Sequence, residues 1–155
     1  MKAPMITPAD AFAAALRGAP CSVHGLDGGP QPVPAVRWRL DADAADRALL
    51  ARCHGATVDI GCGPGRMTSA LLTQGVKAMG IDVVAEAVRQ ARQRGAPALQ
   101  RDVFGRLPGE GRWDTALLAD GNIGIGGDPV RLLRRVREVI AVSYTHLTLP
   151  TNREV

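Results

Sequence analysis

The sequence predicts an α/β fold built on a parallel sheet. Three observations carry that reading. From Ala56 onward, short apolar runs alternate with amphipathic stretches. The amphipathic stretches are bounded by helix punctuation: Gly75 and Gly95 close two of them, and Asp128-Pro129 opens a third. The first apolar run ends directly in the glycine-rich segment Gly61-Cys62-Gly63-Pro64-Gly65. Strands and helices alternating at this spacing form right-handed βαβ units whose strands lie parallel. A length of 155 residues corresponds to about one domain.

Before the alternation begins, residues 1–55 read as a helical and loop cap. Residues 8–17 form a helix, with Thr7 as N-cap, Pro8 at the first helical position and Gly18 past the end. Residues 19–36 hold Pro20, Pro30, Pro32, Pro34 and Gly28-Gly29, which predicts loop with a small hairpin around Asp27-Gly28. Asp41 or Asp43 then caps a helix running to about Cys53.

The sheet follows in residues 56–141. The first strand covers residues 57–60 and leads into a helix over 66–74. A second strand spans 77–81, followed by a helix over 84–94 with Val84, Val88 and Ala91 on one face. Residues 98–101 form a short third strand and 115–119 a fourth. A helix from Pro129 to Ile140 turns Leu133, Val136 and Ile140 inward. No internal repeat is present.

Composition narrows the function classes. The formal charge is +4, but Arg supplies 17 of the 19 cationic side chains, alongside 24 alanines. That skew reads as GC-rich coding and gives little support to nucleic-acid binding. Hydrophobic residues make up 46% of the chain with only five aromatics, so the expected core is aliphatic and rich in alanine. The three cysteines, Cys21, Cys53 and Cys62, form no CxxC pair, which argues against a disulfide-stapled secreted module. No apolar run approaches the ~18–20 residues that a membrane span needs. Pro4, Pro8 and Asp10 leave no room for a signal-peptide core. The expectation is a cytoplasmic protein with no membrane partner.

The chemistry concentrates in Val58-Asp59-Ile60-Gly61-Cys62-Gly63-Pro64-Gly65. Glycines after a strand let the chain turn sharply and bring backbone N–H groups close to a ligand at the positive end of the next helix. The spacing is GxGxG, not the GxGxxG of dinucleotide binders, and Asp59 stands two residues before the first glycine. A buried carboxylate beside the loop repels a pyrophosphate and suits a ligand that carries an ammonium group. Asp82 ends the second strand, where a carboxylate can accept from both ribose hydroxyls. Asp102 ends the third, within reach of a base edge.

This series resembles the class I S-adenosylmethionine-dependent methyltransferases, a seven-stranded Rossmann-like family, over roughly residues 56–140. The resemblance implies an enzyme that binds S-adenosyl-L-methionine and moves its methyl group in line to a small-molecule acceptor. It implies that Asp59 contacts the methionine ammonium, while Gly61, Cys62, Gly63 and Gly65 pack against the methionine and ribose. By the same resemblance Asp82 holds the ribose hydroxyls and Val83 lies against adenine. Asp102 accepts from the adenine amino group, with the Val103 backbone beside it. Ala119 and Asp120, in the motif Trp113-Asp114-Thr115-Ala116-Leu117-Leu118-Ala119-Asp120-Gly121-Asn122, line the methyl-transfer site. Asp120 is the candidate base, or else it structures the glycine-rich loop 121–127. No metal site is expected.

Several of these residues also admit purely structural roles. GxGxG can serve as a tight turn, and Asp82 can cap the helix that follows it without losing the ribose. Cys62 has no His near it in sequence and reads as a small loop residue. Cys21-x-x-His24 and Cys53-His54 lack zinc spacing. Arg131, Arg134, Arg135 and Arg137 read as a solvated basic face, since no aromatics interleave to stack bases. Trp38 anchors the N-terminal segment or belongs to a substrate lid. A nicotinamide-dependent oxidoreductase and a non-catalytic cofactor-binding module stand as the competing readings; the glycine spacing and Asp59 oppose the first.

Residues 142–151 (VSYTHLTLPT) read as a translated transposon-end adaptor, with 152–155 as further non-native sequence. The competing reading is a fifth strand, since the segment has good strand propensity. The family's sheet runs 3-2-1-4-5-7-6. The expectation is therefore an incomplete sheet of its first four strands, with Leu117 and Leu118 on an exposed edge and low stability.

Overall fold

The computed structural model describes residues 6–25 and 27–141; the tail read as non-native lies outside the described residues. Four parallel strands form the sheet: β3 (Thr57–Ile60), β4 (Ala78–Asp82), β5 (Ala98–Gln100) and β6 (Thr115–Leu117). Their order is β5-β4-β3-β6. This is the third, second, first and fourth strand of the alternating pattern, in the sequence expected. Register aligns Ile60 with Ile81, Asp59 with Leu117 and Asp82 with Gln100, so the carboxyl ends meet along one edge of the sheet.

Side chains alternate across the sheet and are covered on both faces. On one face Val58, Ile60, Ile81 and Leu118 pack with Leu132, Val136 and Val139 of α6 (Pro129–Val139). On the other, Ala78 and Leu117 pack with Leu50 of α3 (Ala44–Leu50) and with Met67 and Leu71 of α4 (Arg66–Thr73). The next helix, α5 (Ala85–Gln93), lays Val88 and Ala91 against Ala98 and Cys62.

Two expectations change here. The fourth strand, β6, is an edge of the described sheet, as expected, but the side chains of Leu117 and Leu118 are buried, each 4% exposed. They point to opposite faces, Leu117 into the cluster with α3 and α4 and Leu118 into the cluster with α6. The inward stripe of α6 is Leu132, Val136 and Val139, one residue before the expected Leu133 and Ile140, which are half-buried. Ile140 instead leaves the helix in extended conformation and makes a parallel bridge to Trp113, and the Ala141 N–H donates to the Trp113 carbonyl at 2.7 Å.

The basic face of α6 is likewise only partly solvated. Arg135 donates to the Val103 and Gly105 carbonyls at 2.7 and 2.6 Å, pinning the turn after β5. Arg131 lies over the Phe104 ring, 4.0 Å from its centroid.

In the N-terminal part, α1 (Pro8–Leu16) begins with a capping box between Thr7 and Asp10, and α3 with one between Asp43 and Asp46. The hairpin pairs β1 (Ser22–Val23) with β2 (Gln31–Pro32). A five-residue helix that the proline pattern hides, α2 (Ala35–Arg39), carries Trp38. Gln90 of α5 and Arg94, its C-cap residue, tie this cap down by donating to the Leu16 and Leu40 carbonyls, each at 3.0 Å. No described helix is long and apolar enough to cross a membrane.

Gly80, in the middle of β4, leaves the space that Cys62 fills: a Cβ there would stand 2.6 Å from Cys62 Cβ and Sγ. Gly80→Ala is predicted to lower stability by about 1–3 kcal/mol through overpacking, read from the urea midpoint. An unchanged midpoint would contradict this packing.

Candidate active site

In an open parallel sheet, ligands bind outside the carboxyl ends of the strands. That edge holds a cavity of about 610 Å³. Four aspartates from four successive strand ends line it: Asp59 within β3, Asp82 ending β4, Asp102 beyond β5 and Asp120 beyond β6. Gly61, Cys62, Gly63, Val83, Val103 and Ala119 line the same cavity. Gly65 is the exception among the sequence-derived site residues. It faces α5, where an added Cβ would stand 2.9 Å from Ala91 Cβ, so it serves close packing and caps α4 at φ 85°.

The glycine loop is held from both sides. Asp82 Oδ2 accepts from the Gly63 N–H at 2.9 Å, and its Oδ1 accepts from the Val84 N–H at 2.9 Å, just where α5 begins. One carboxylate thus positions the loop and the next helix together. From the β6 side, the Asn122 side-chain amide donates to the Ile60 and Gly61 carbonyls, both at 2.9 Å. Gly61, at φ 74°, must lack a side chain because a Cβ would stand 2.7 Å from Asn122 Nδ2. Gly63, at φ 53°, has nothing among the described residues within 4 Å of where its Cβ would be.

The wall is strongly acidic. Asp59 is 1% exposed, and Thr68 Oγ1 donates to its Oδ2 at 2.8 Å. Burial pushes its pKa from 3.8 to about 6; the Thr68 hydrogen bond opposes this, and the charges of Asp120 and Asp82 add to it. Burial also raises the Asp82 carboxyl, against the Val84 and Gly63 amides. Asp102 Oδ1 accepts from the Phe104 N–H at 2.9 Å and is exposed, as is Val83. Burial drives the Cys62 thiol far above its ordinary range, which leaves no thiolate for nucleophilic chemistry. The N-terminus of α4 carries no side-chain cap, and Arg66 and Met67 of its first turn line the cavity.

Arg66 is the main functional-site residue that the sequence reading missed. It is 4% exposed and makes ion pairs with Asp46 of α3 and, at 2.6 Å, with Asp120. Among the described residues, Asp120 is the non-glycine residue with positive φ, at 53°. Thr68 and Asn122 were likewise unassigned. Nothing local marks these three: Asp120 lies 54 residues from Arg66 and Ile60 lies 62 from Asn122, while Thr68 meets Asp59 only because the glycine turn folds α4 back beside β3.

The N-terminal cap closes the remaining side. Phe12 of α1 and Trp38 of α2 stack at 5.5 Å between centroids, with planes 17° apart, and both line the cavity. Trp38 therefore anchors the cap to itself and forms part of the cavity wall.

Comparison with known proteins agrees with this fold. A family model described as Methyltransferase domain matches residues 57–143, more than half of the chain. Among solved structures, the chain is similar to an SAM-dependent methyltransferase from Bacteroides fragilis in complex with S-adenosyl-L-homocysteine. The TM-score is 0.71 at 22% identity, over 85% of this chain and 59% of that one. It is similar to a TehB-like SAM-dependent methyltransferase from Corynebacterium glutamicum, with a TM-score of 0.58 at 23% identity, over 70% and 65% of the two chains. A third similar structure concerns conversion of a disulfide bond into a thioacetal group during echinomycin biosynthesis, with a TM-score of 0.63 at 25% identity, over 85% and 56%. The chain thus spans less than two thirds of each of these structures. No curated protein matches it.

Folding raises the Asp59 pKa from 3.8 to about 6, so the protonated acid is the form the folded state favours. That contribution is fully present below about pH 4 and lost as pH rises through about 6. Asp59→Asn is predicted to be more stable than the parent at pH 7.5, by on the order of 3 kcal/mol, with the advantage vanishing at pH 4. Urea unfolding of both proteins at the two pH values checks this; an equal difference at both would contradict it.

Proposed function

The chain belongs to the methyltransferase domain family, and on that premise we propose that it binds S-adenosyl-L-methionine in the strand-end cavity and methylates a small-molecule acceptor. The observation that carries this reading is the convergence of Asp59, Asp82, Asp102 and Asp120 on one cavity beside a glycine loop. An acidic wall fits a ligand bearing two positive groups, an ammonium and a sulfonium.

Asp59 pairs with the ammonium, while the uncapped start of α4 offers N–H groups and a positive dipole end to the methionine carboxylate. Asp82 accepts from the ribose hydroxyls, since a carboxylate oxygen already bound to one amide has a further lone pair to offer. Val83 covers one face of the adenine, and Asp102 accepts from its amino group beside the Val103 backbone. Gly61, Cys62 and Gly63 form the floor, and Ala119 the end near the methyl group. When bound, the cofactor supplies an activated methyl on sulfur for in-line displacement by a nucleophile. The chain's own contribution is to orient and to exclude water. Asp120 takes the proton where the acceptor carries one; its pairing with Arg66 supports a second role in fixing the loop that follows.

In this reading residues 56–141 form the cofactor-binding part and residues 1–55 the cap. The free thiols of Cys21, Cys53 and Cys62 support a cytoplasmic setting.

Titration calorimetry with S-adenosylhomocysteine tests the proposal, and saturable binding is expected. Asp82→Ala is predicted to weaken it by about 1.5–3 kcal/mol, the scale of a hydrogen bond to a charged group. No binding by the parent chain overturns the reading, and unchanged affinity in the variant removes Asp82 from the ribose role.

A further inference from the structure

We infer that the acceptor is an aromatic small molecule without negative charge; this rests on the cofactor reading above. Two independent features of the cavity support it. The first is the Phe12–Trp38 stack. The two rings come from separate helices and are nearly parallel, and both line the cavity. Phe12 keeps 42% of its surface exposed, although a large apolar side chain gains by being covered. The platform is firmly mounted, since α1 is tied to α5 through Gln90 and the Leu16 carbonyl at 3.0 Å. The exposed surface of Phe12, backed by the half-buried Trp38 on a tied-down wall, favours a flat apolar partner.

The second feature is the distribution of charge. Among the described residues lining the cavity, the cations are Arg66 and Arg101. Arg66 is consumed by Asp46 and Asp120. Arg101 follows β5, at the side assigned to adenine, and donates to the Gln100 carbonyl at 2.9 Å. Beside Asp120, a carboxylate or phosphate on the acceptor would find no guanidinium to pair with and would face a like charge. Leaving a partly desolvated charge unpaired, next to another of the same sign, discriminates strongly against acids. A neutral aromatic ring pays neither cost.

The test uses two probes of matched shape, 1-naphthol and 1-naphthoate, titrated calorimetrically at pH 7.5 into the 155-residue chain saturated with S-adenosylhomocysteine. Naphthol should bind about tenfold or more tightly than naphthoate, a difference of about 1.4 kcal/mol. Phe12→Ala and, separately, Trp38→Ala should weaken naphthol about threefold to tenfold while leaving the affinity for S-adenosylhomocysteine unchanged. Asp120→Asn should narrow the gap between the two probes. Failure of S-adenosylhomocysteine itself to bind would overturn the cofactor reading and this inference with it. Normal binding of S-adenosylhomocysteine with naphthoate equal to or tighter than naphthol, or with no naphthol binding, overturns the inference alone. Aromatic-pair variants that weaken S-adenosylhomocysteine and spare naphthol would also overturn it, by assigning the stack to the cofactor.

Discussion

The Asp82 carboxylate is the interaction on which the rest of the site depends. A parallel sheet runs out of hydrogen-bond partners at its strand ends, and the loops that begin there must be held by something else. Asp82 meets that need for two loops together, accepting from Gly63 in the glycine turn and from Val84 at the start of α5. The turn after β3 is therefore shaped by a residue at the tip of the neighbouring strand. Each such bond to a charged acceptor contributes about 1.5–3 kcal/mol. The same burial that strengthens these bonds raises the carboxyl's own pKa. The structural cap and the proposed ribose contact are then two uses of one fixed group.

A second constraint joins the cap to the far side of the cavity. Arg66 stands between Asp46 of α3 and Asp120 after β6. Arg66 and Asp46 are both buried, so removing Arg66 strands the Asp46 charge at a cost of about 3–5 kcal/mol; the more exposed Asp120 shares the same guanidinium, and cap and loop meet at that one side chain. That grip accompanies the left-handed backbone of Asp120, a conformation that non-glycine residues seldom adopt. Asn122 then returns the chain to the glycine turn through the Ile60 and Gly61 carbonyls. The glycine turn, the loop after β6 and the cap form a closed circuit of polar contacts around the cavity.

How much of this could be read in the sequence follows from how local each signal is. The strands were readable because short apolar runs alternate with amphipathic stretches closed by Gly75 and Gly95, which are local marks; their order came only from the family resemblance, and the strand ends then place Asp59, Asp82 and Asp102 at one edge. The inward stripe of α6 was misplaced by one residue because both phases are apolar: Leu132 and Leu133 are adjacent, as are Val139 and Ile140, and periodicity alone cannot choose between them. The short helix α2 lies just after a proline-rich stretch that reads as loop. Arg66 resembles any helix-opening arginine until its partners, 20 and 54 residues away, are brought beside it. Thr68, Gly80 and the packing role of Gly65 are features of tertiary contact and leave no pattern in the chain. Arg135 and Arg131 looked like solvent-facing charges because the carbonyls and the ring they meet belong to the turn after β5.

The central claim is that the strand-end carboxylates surround a single adenosyl sulfonium. Its most direct test is a crystal structure of the chain with S-adenosylhomocysteine. The account predicts density in the strand-end cavity, with both ribose hydroxyls on Asp82, the amino group beside Asp59 and the adenine between Val83 and Asp102. Density elsewhere on the molecule, or a nucleoside in that cavity with its ribose turned away from Asp82, would contradict it.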